Sequence, residues 1–129
     1  MTYVYLDAEA VLAIAAAAVD DQDVIIRDLG LLESAVHRPS ASMYGQEAYS
    51  DLFEKAAALL QSLAVTRPFI DGNKRTAWTS CMVFLAMNEV QLRPDIDAAE
   101  RLVIAVSTGD LDEVKAIAKA LRELAEPPL

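Results

Sequence analysis

The 129-residue sequence has little cysteine, histidine or basic charge, and each shortage excludes a class of protein. A single cysteine, Cys81, excludes a disulfide framework, and a single histidine, His37, excludes a multi-histidine metal site. The longest apolar run, residues 10–19, is shorter than the roughly 20 residues that a membrane-spanning helix needs. Eleven basic against twenty acidic residues give a net charge of -9, which argues against nonspecific binding to nucleic acid or an anionic membrane. We therefore expect one soluble, cytoplasmic domain over residues 1–129.

The remaining composition favours helices. Only four glycines and 6% aromatic residues are present, while alanine and leucine are abundant. Residues 40–49 are expected to form a mobile polar loop, and the acidic residues 20–28 are ambiguous. Capping residues and apolar spacing predict six helices: 8–19 after Asp7, 29–37, 51–66 after Ser50, 73–88, and two that open at Asp97 with Glu100 and at Asp110 with Glu113. The broad apolar face of residues 73–88 predicts that this helix lies at the buried centre.

A basic cluster interrupts this acidic chain. Residues 67–76 read Arg-Pro-Phe-Ile-Asp-Gly-Asn-Lys-Arg-Thr and hold three of the eleven basic residues. Lys74 and Arg75 fall in the first turn of a predicted helix, where the helix dipole makes cations unfavourable. A bound anion would reverse that cost. Free backbone N–H groups, the small Gly72 and two cations together indicate a phosphate-binding cradle.

Two further residues of this segment have predicted roles. Asp71 is suited to hold a divalent cation that bridges phosphate oxygens. Phe69 is expected to turn inward and anchor the loop. The residues alone also allow an ordinary Gly72-Asn73 turn followed by solvated cations, and spacing does not decide between the two readings.

The segment resembles the signature of the Fic/Doc family, H-x-F-x-[DE]-[GA]-N-[GK]-R, from Phe69 onward. Residues 31–39 and the helices on either side of the segment are also similar to that family. Lys74 stands where AMP-transferring members have glycine, and Trp78 stands where they often have a second arginine. Both features resemble the Doc branch. The resemblance implies an all-α Fic fold of about six helices around a buried central helix.

The resemblance also implies a function. Doc proteins are toxins of toxin–antitoxin pairs that transfer the γ-phosphate of ATP to a threonine of elongation factor Tu and so stop translation. Residues 38–49 would then lie where the target segment binds, and a Phd-like antitoxin would control the protein. Asp71 would hold Mg²⁺ and help to orient the hydroxyl group. The implied ATP-binding residues are Phe69, Gly72, Asn73, Lys74 and Arg75.

The first position of the signature does not match. Family members use a histidine there as the catalytic base, but this chain has Arg67. Arginine keeps its proton at any working pH and cannot act as a base. His37 lies on another helix and is not expected to replace it. We therefore expect a folded but catalytically crippled protein. A nucleotidyl (AMP) transferase and a non-catalytic module that binds nucleotide or antitoxin are the alternatives.

Overall fold

The computed structural model describes residues 2–19 and 23–127, so residues 20–22 of the ambiguous acidic segment lie outside it. Over the described residues it contains six α-helices and one two-stranded sheet, which confirms the predicted helical fold. The helices are α1 Ala8–Ala18, α2 Leu29–His37, α3 Leu52–Thr66, α4 Asn73–Met87, α5 Ile96–Thr108 and α6 Val114–Leu124. A 3₁₀ turn, Arg38–Ser40, continues α2. Within this part of the chain, no helix combines the length and the apolarity that crossing a bilayer requires.

Aspartate side chains begin four of the helices. Each precedes its helix in extended conformation and accepts a hydrogen bond from a first-turn backbone N–H; they are Asp7, Asp28, Asp51 and Asp95. The predicted cap Asp7 is confirmed, with its carboxylate 2.8 Å from the nitrogen of Ala10.

Three predicted helix starts were wrong by one to three residues. Asp51 rather than Ser50 caps α3, because its carboxylate reaches the nitrogen of Phe53 at 2.6 Å. The α5 helix begins before Asp97, since Asp95 already supplies the extended backbone and the side-chain acceptor that a cap needs. The α6 helix begins after Glu113 without a side-chain cap, so Asp110 lies outside it.

The central helix is α3, and the prediction that residues 73–88 occupy the centre was wrong. Residues 55–60 and 62–64 of α3 are buried around its whole circumference. It packs against α2, α4, α5 and α6, whereas α4 lies between α1, α3 and α5. The reason is composition: the α3 segment, with its alanine run 56–58, is apolar or small on nearly every face, and such a helix is stable only when covered on all sides.

Residues 42–47, within the segment predicted to be a mobile polar loop, form a β-hairpin. Strand β1, Ser42–Met43, pairs antiparallel with β2, Gln46–Glu47. Tyr44 and Gly45 make the two-residue turn, and both have positive φ, 53° and 77°. This is the conformation of a type I′ turn, whose twist matches that of the paired strands.

A buried lysine joins this hairpin to the central helix. Lys55 on α3 has no exposed surface, and its Nζ donates to Glu47 at 2.9 Å and to the Pro39 carbonyl at 3.1 Å. Burial lowers the pKa of Lys55, but hydrogen bonds to Glu47 and Tyr5 outweigh it and raise the pKa above 10.5. The lysine is therefore charged at neutral pH and holds the hairpin against α3.

Candidate active site

The signature segment forms the loop between α3 and the start of α4. Its anchor is Phe69, which is 2% exposed and turns inward as predicted. The loop pairs with the extended segment before α2. Ile70 donates its N–H to the Ile25 carbonyl at 3.1 Å, and Arg27 donates its N–H to the Pro68 carbonyl at 2.7 Å. The loop is thus attached to the fold on both sides of its buried phenylalanine.

Arg67 occupies the end of α3 in a left-handed conformation, with φ 53° and ψ 64°. Its side chain is exposed. Its carbonyl oxygen accepts a hydrogen bond from Nε of Arg27 at 2.7 Å, and the Thr66 carbonyl accepts from Nη2 of the same guanidinium at 2.5 Å. Arg27 therefore binds the two carbonyls at this helix end, which lack partners within the helix. Sequence reasoning missed Arg27, because no local pattern links it to a loop 40 residues away.

Asn73 ties the loop together from within. Its side chain is nearly buried; Oδ1 accepts from the Phe69 nitrogen at 3.0 Å, and Nδ2 donates to the Phe69 oxygen at 2.8 Å. Both ends of the amide are therefore engaged by one residue of the loop. The backbone N–H of Asn73, at the first position of α4, has no partner within the helix and can bind a ligand.

Gly72 fits its position for two structural reasons. Its φ of 76° lies in the left-handed region, which side chains disfavour. A Cβ at this position would also lie only 3.1 Å from Cγ1 of Val19, at the end of α1. The glycine therefore lets the loop turn tightly into α4 while α1 packs against it.

The start of α4 has the features of an anion site. Within the described residues no side chain caps this helix, so its first N–H groups keep their hydrogen-bonding capacity. Lys74 and Arg75 lie in this first turn, and both are exposed. Arg75 also donates to the Ala18 carbonyl at 2.8 Å, which fixes part of its guanidinium against α1. Unsatisfied N–H groups, the helix dipole and two cations favour a bound phosphate here.

Asp71 lies beside this helix start and is exposed. One of its carboxylate oxygens accepts from the Gly72 N–H at 2.8 Å. Among the residues that the structure covers, no group of three or more metal-binding side chains occurs. A single carboxylate fits Mg²⁺ when phosphate is present, because Mg²⁺ is commonly held by one or two carboxylates, phosphate oxygens and water. The donor set thus fits a phosphate-bound magnesium ion rather than an all-protein metal site.

A cleft of about 550 Å³ adjoins the end of α3, where Thr66 lines it. It lies between α2, the 3₁₀ turn, the hairpin and the end of α3, and it is lined by Arg38 and His37 among others. Signature residues 67–75 are not part of its lining. The structure therefore places His37 on this cleft and not among the signature residues.

Comparison with known proteins identifies the family. Residues 5–85 match the Fic/DOC family. The chain is 50% identical over 110 residues to Toxin Doc of Mycolicibacterium smegmatis, covering 84% of each chain. It is 36% identical over 97 residues to the protein kinase doc of Escherichia phage P1, covering 75% of each chain.

Proposed function

The chain belongs to the Fic/DOC family, and we propose that it is a Doc-type toxin built to transfer the γ-phosphate of ATP to a protein hydroxyl group. We propose a threonine of elongation factor Tu as the target and arrest of translation as the consequence. The observation that carries the proposal is the uncapped start of α4 with Lys74 and Arg75, in a chain whose net charge is -9. The names of its two relatives, a toxin and a protein kinase, support the same reading.

In this proposal each signature residue has a separate task. The backbone N–H groups of α4 and the side chains of Lys74 and Arg75 bind the phosphates of ATP. Gly72 gives the backbone close access, and Asn73 and Phe69 hold the loop in the conformation that exposes these groups. The lysine side chain adds a point charge beside the phosphates, which favours presentation of the γ-phosphate.

Asp71 would hold Mg²⁺ through the carboxylate oxygen that does not bind Gly72. A magnesium ion at this place would neutralise charge on the phosphate oxygens. Asp71 would also orient the target hydroxyl, because a carboxylate accepts a hydrogen bond from it. The structure leaves this side chain exposed, so both partners have access to it.

Arg67 limits the proposed reaction. As the hydroxyl oxygen bonds to the γ-phosphorus and the bond to the bridging oxygen breaks, ADP leaves and the hydroxyl proton must be accepted. Arginine cannot accept it, whereas a histidine at this position could. We therefore propose that the chain is folded but weakly active, because losing a general base costs about 10²–10⁴-fold.

The test is to compare the chain with its Arg67→His variant, with Arg67→Gln as a control that removes the charge but adds no base. Purified elongation factor Tu is incubated with ATP labelled at the γ- or the α-phosphate. We expect Arg67→His to transfer γ-label about 10²–10⁴-fold faster than the unaltered chain or Arg67→Gln. Equal transfer by the unaltered chain would refute the crippled state, and transfer of α-label would show a nucleotidyl transferase. No transfer to the factor by any variant would reject the assigned target.

Arg67 also favours a second candidate, a module that binds nucleotide and a Phd-like antitoxin without catalysis. The two candidate functions predict different behaviour for the Arg67→His variant. If that variant binds ATP and antitoxin but transfers no label to any protein of a cell extract, the binding module is the better description. Loss of ATP affinity in Lys74→Ala would show that the α4 site is the nucleotide site in either case.

A further inference from the structure

The guanidinium of Arg38 is fixed in place by neutral groups. Its Nε donates to the hydroxyl of Tyr49 at 3.1 Å, and its Nη1 donates to Oγ of Ser62 at 3.0 Å and to the carbonyl of Ala58 at 3.3 Å. These bonds join the 3₁₀ turn to α3 and to Tyr49, two residues after the hairpin. They orient the charge of Arg38 without neutralising it.

No carboxylate balances this charge in the part of the chain that is described. The ion pairs found there are Lys55 with Glu47 and Arg122 with Asp51, and neither includes Arg38. A guanidinium has five N–H donors, and among the described residues the two on Nη2 of Arg38 have no acceptor. A partly buried arginine with free donors is a preorganised partner for an oxyanion.

Arg38 lines the 550 Å³ cleft beside Thr66, and the other lining groups fit the same chemistry. The described lining contains no carboxylate. The hydroxyl of Thr66 already donates to the Ser62 carbonyl, at 2.6 Å. Ser34 and Ser42 also line the cleft, and within residues 2–19 and 23–127 their hydroxyls make no hydrogen bond. These two serines can therefore donate to a ligand.

We propose that this cleft binds an oxyanion, a carboxylate or a phosphate group, through Nη2 of Arg38 and the hydroxyls of Ser34 and Ser42. The site is separate from the α4 start, because residues 67–75 do not line it. It adjoins the hairpin and the last residue of α3, so the bound group lies beside the signature loop. The oxyanion could belong to an acidic side chain of a polypeptide or to a free phosphate. The inference does not depend on phosphate transfer.

Two probes distinguish these sources in solution. The full ¹⁵N-labelled chain is titrated with inorganic phosphate and, separately, with a capped tripeptide that has a central glutamate. The proposal predicts NMR shifts at Ser34, Ser42 and Nε of Arg38 with at least one probe. Phosphate shifts confined to residues 72–76 would belong to the α4 start and would count against the cleft. NMR shifts with the peptide alone would identify a polypeptide ligand. Shifts with phosphate alone would identify a small phosphate as the ligand.

Three variants make the test specific. Arg38→Gln should weaken binding at least about tenfold, the scale of one charge-assisted hydrogen bond. Because Arg38 also ties the 3₁₀ turn to α3, Ser34→Asp serves as a second variant that adds a carboxylate to the cleft and keeps those ties. It should abolish binding, while Ser50→Asp, at an exposed residue outside the lining, should leave binding unchanged. Absence of any response at Ser34 and Ser42, or binding that survives Ser34→Asp, would overturn the proposal.

Discussion

The Nε atom of Arg27 lies 2.7 Å from the carbonyl oxygen of Arg67, and this bond holds the last turn of the central helix to the segment before α2. The same guanidinium binds the carbonyl of Thr66. One side chain thus satisfies two backbone acceptors that a helix end leaves without partners. The backbone at position 67, the first position of the signature, is fixed from outside the signature.

Replacing Arg27 should loosen this attachment. We expect Arg27→Gln to lower the free energy of unfolding by about 1 kcal/mol, because hydrogen bonds to two helix-end carbonyls are weakened at an exposed site. The free energy of unfolding of Arg27→Lys should lie between those of Arg27→Gln and the unaltered protein, since a lysine keeps the charge but not the planar fork. Urea unfolding measures the difference. Equal stability of all three proteins would show that Arg27 does not hold the loop.

Gly72 and Gly45 form a matched pair for measuring steric constraint. Both have positive φ, but a Cβ at Gly72 would lie 3.1 Å from Val19, whereas a Cβ at Gly45 would have no neighbour within 4 Å. Gly45→Ala should therefore cost only the left-handed strain of about 1–2 kcal/mol. Gly72→Ala should cost more, as measured by thermal or urea unfolding. A smaller cost at Gly72 would contradict the packing of α1 against the loop.

The buried Lys55 should matter more than an exposed ion pair. Lys55→Met removes the partner of Glu47 and of the Pro39 carbonyl. The free energy of unfolding should fall by about 1–3 kcal/mol. Arg122→Met breaks the more exposed pair with Asp51 and should cost less than about 1 kcal/mol. Denaturant unfolding gives both values. Hydrogen exchange should also quicken in the hairpin of Lys55→Met; unchanged exchange would argue that Lys55 does not hold the hairpin.

The protein should lose stability in alkaline solution. Burial raises the pKa of Cys81 from 9.0 to about 12, so the folded protein retains a proton that the unfolded chain releases above pH 9. The unfolded state is favoured progressively between pH 9 and 12. Lys55, whose pKa is also raised, adds to this loss above pH 10.5. Unfolding free energies measured across this range should fall, and Cys81→Ala should flatten the curve. An equal slope in that variant would exclude the thiol as a cause.

Local signals explain which parts of the fold could be predicted. The bounds of α2 and the cap of α1 follow from aspartates and apolar spacing within a few residues. Local signals do not show which helix is central, because that depends on which helix the others cover. The hairpin was also missed, since its turn places Tyr44 at positive φ, where asparagine or glycine would have signalled a type I′ turn.

In the candidate site, too, local features could be predicted from the sequence and contacts between distant segments could not. The inward turn of Phe69 and the position of Lys74 and Arg75 at a helix start were predictable, because they depend on the loop and the first turn alone. The bond of Arg27 to Arg67 and the contact of Gly72 with Val19 join segments far apart in sequence. Sequence spacing cannot show such contacts. The predicted roles of the signature residues toward ATP and Mg²⁺ stay predictions.

The left-handed backbone of residue 67 restricts which amino acids evolution can place there. Histidine, asparagine and aspartate enter this conformation more readily than β-branched residues do, so valine or isoleucine would be selected against on folding grounds alone. The side chain itself is exposed and takes no part in the core. An exchange between arginine and histidine should therefore leave the architecture intact. Residue 67 can change its chemistry without a cost in folding, as long as the new side chain tolerates the left-handed backbone.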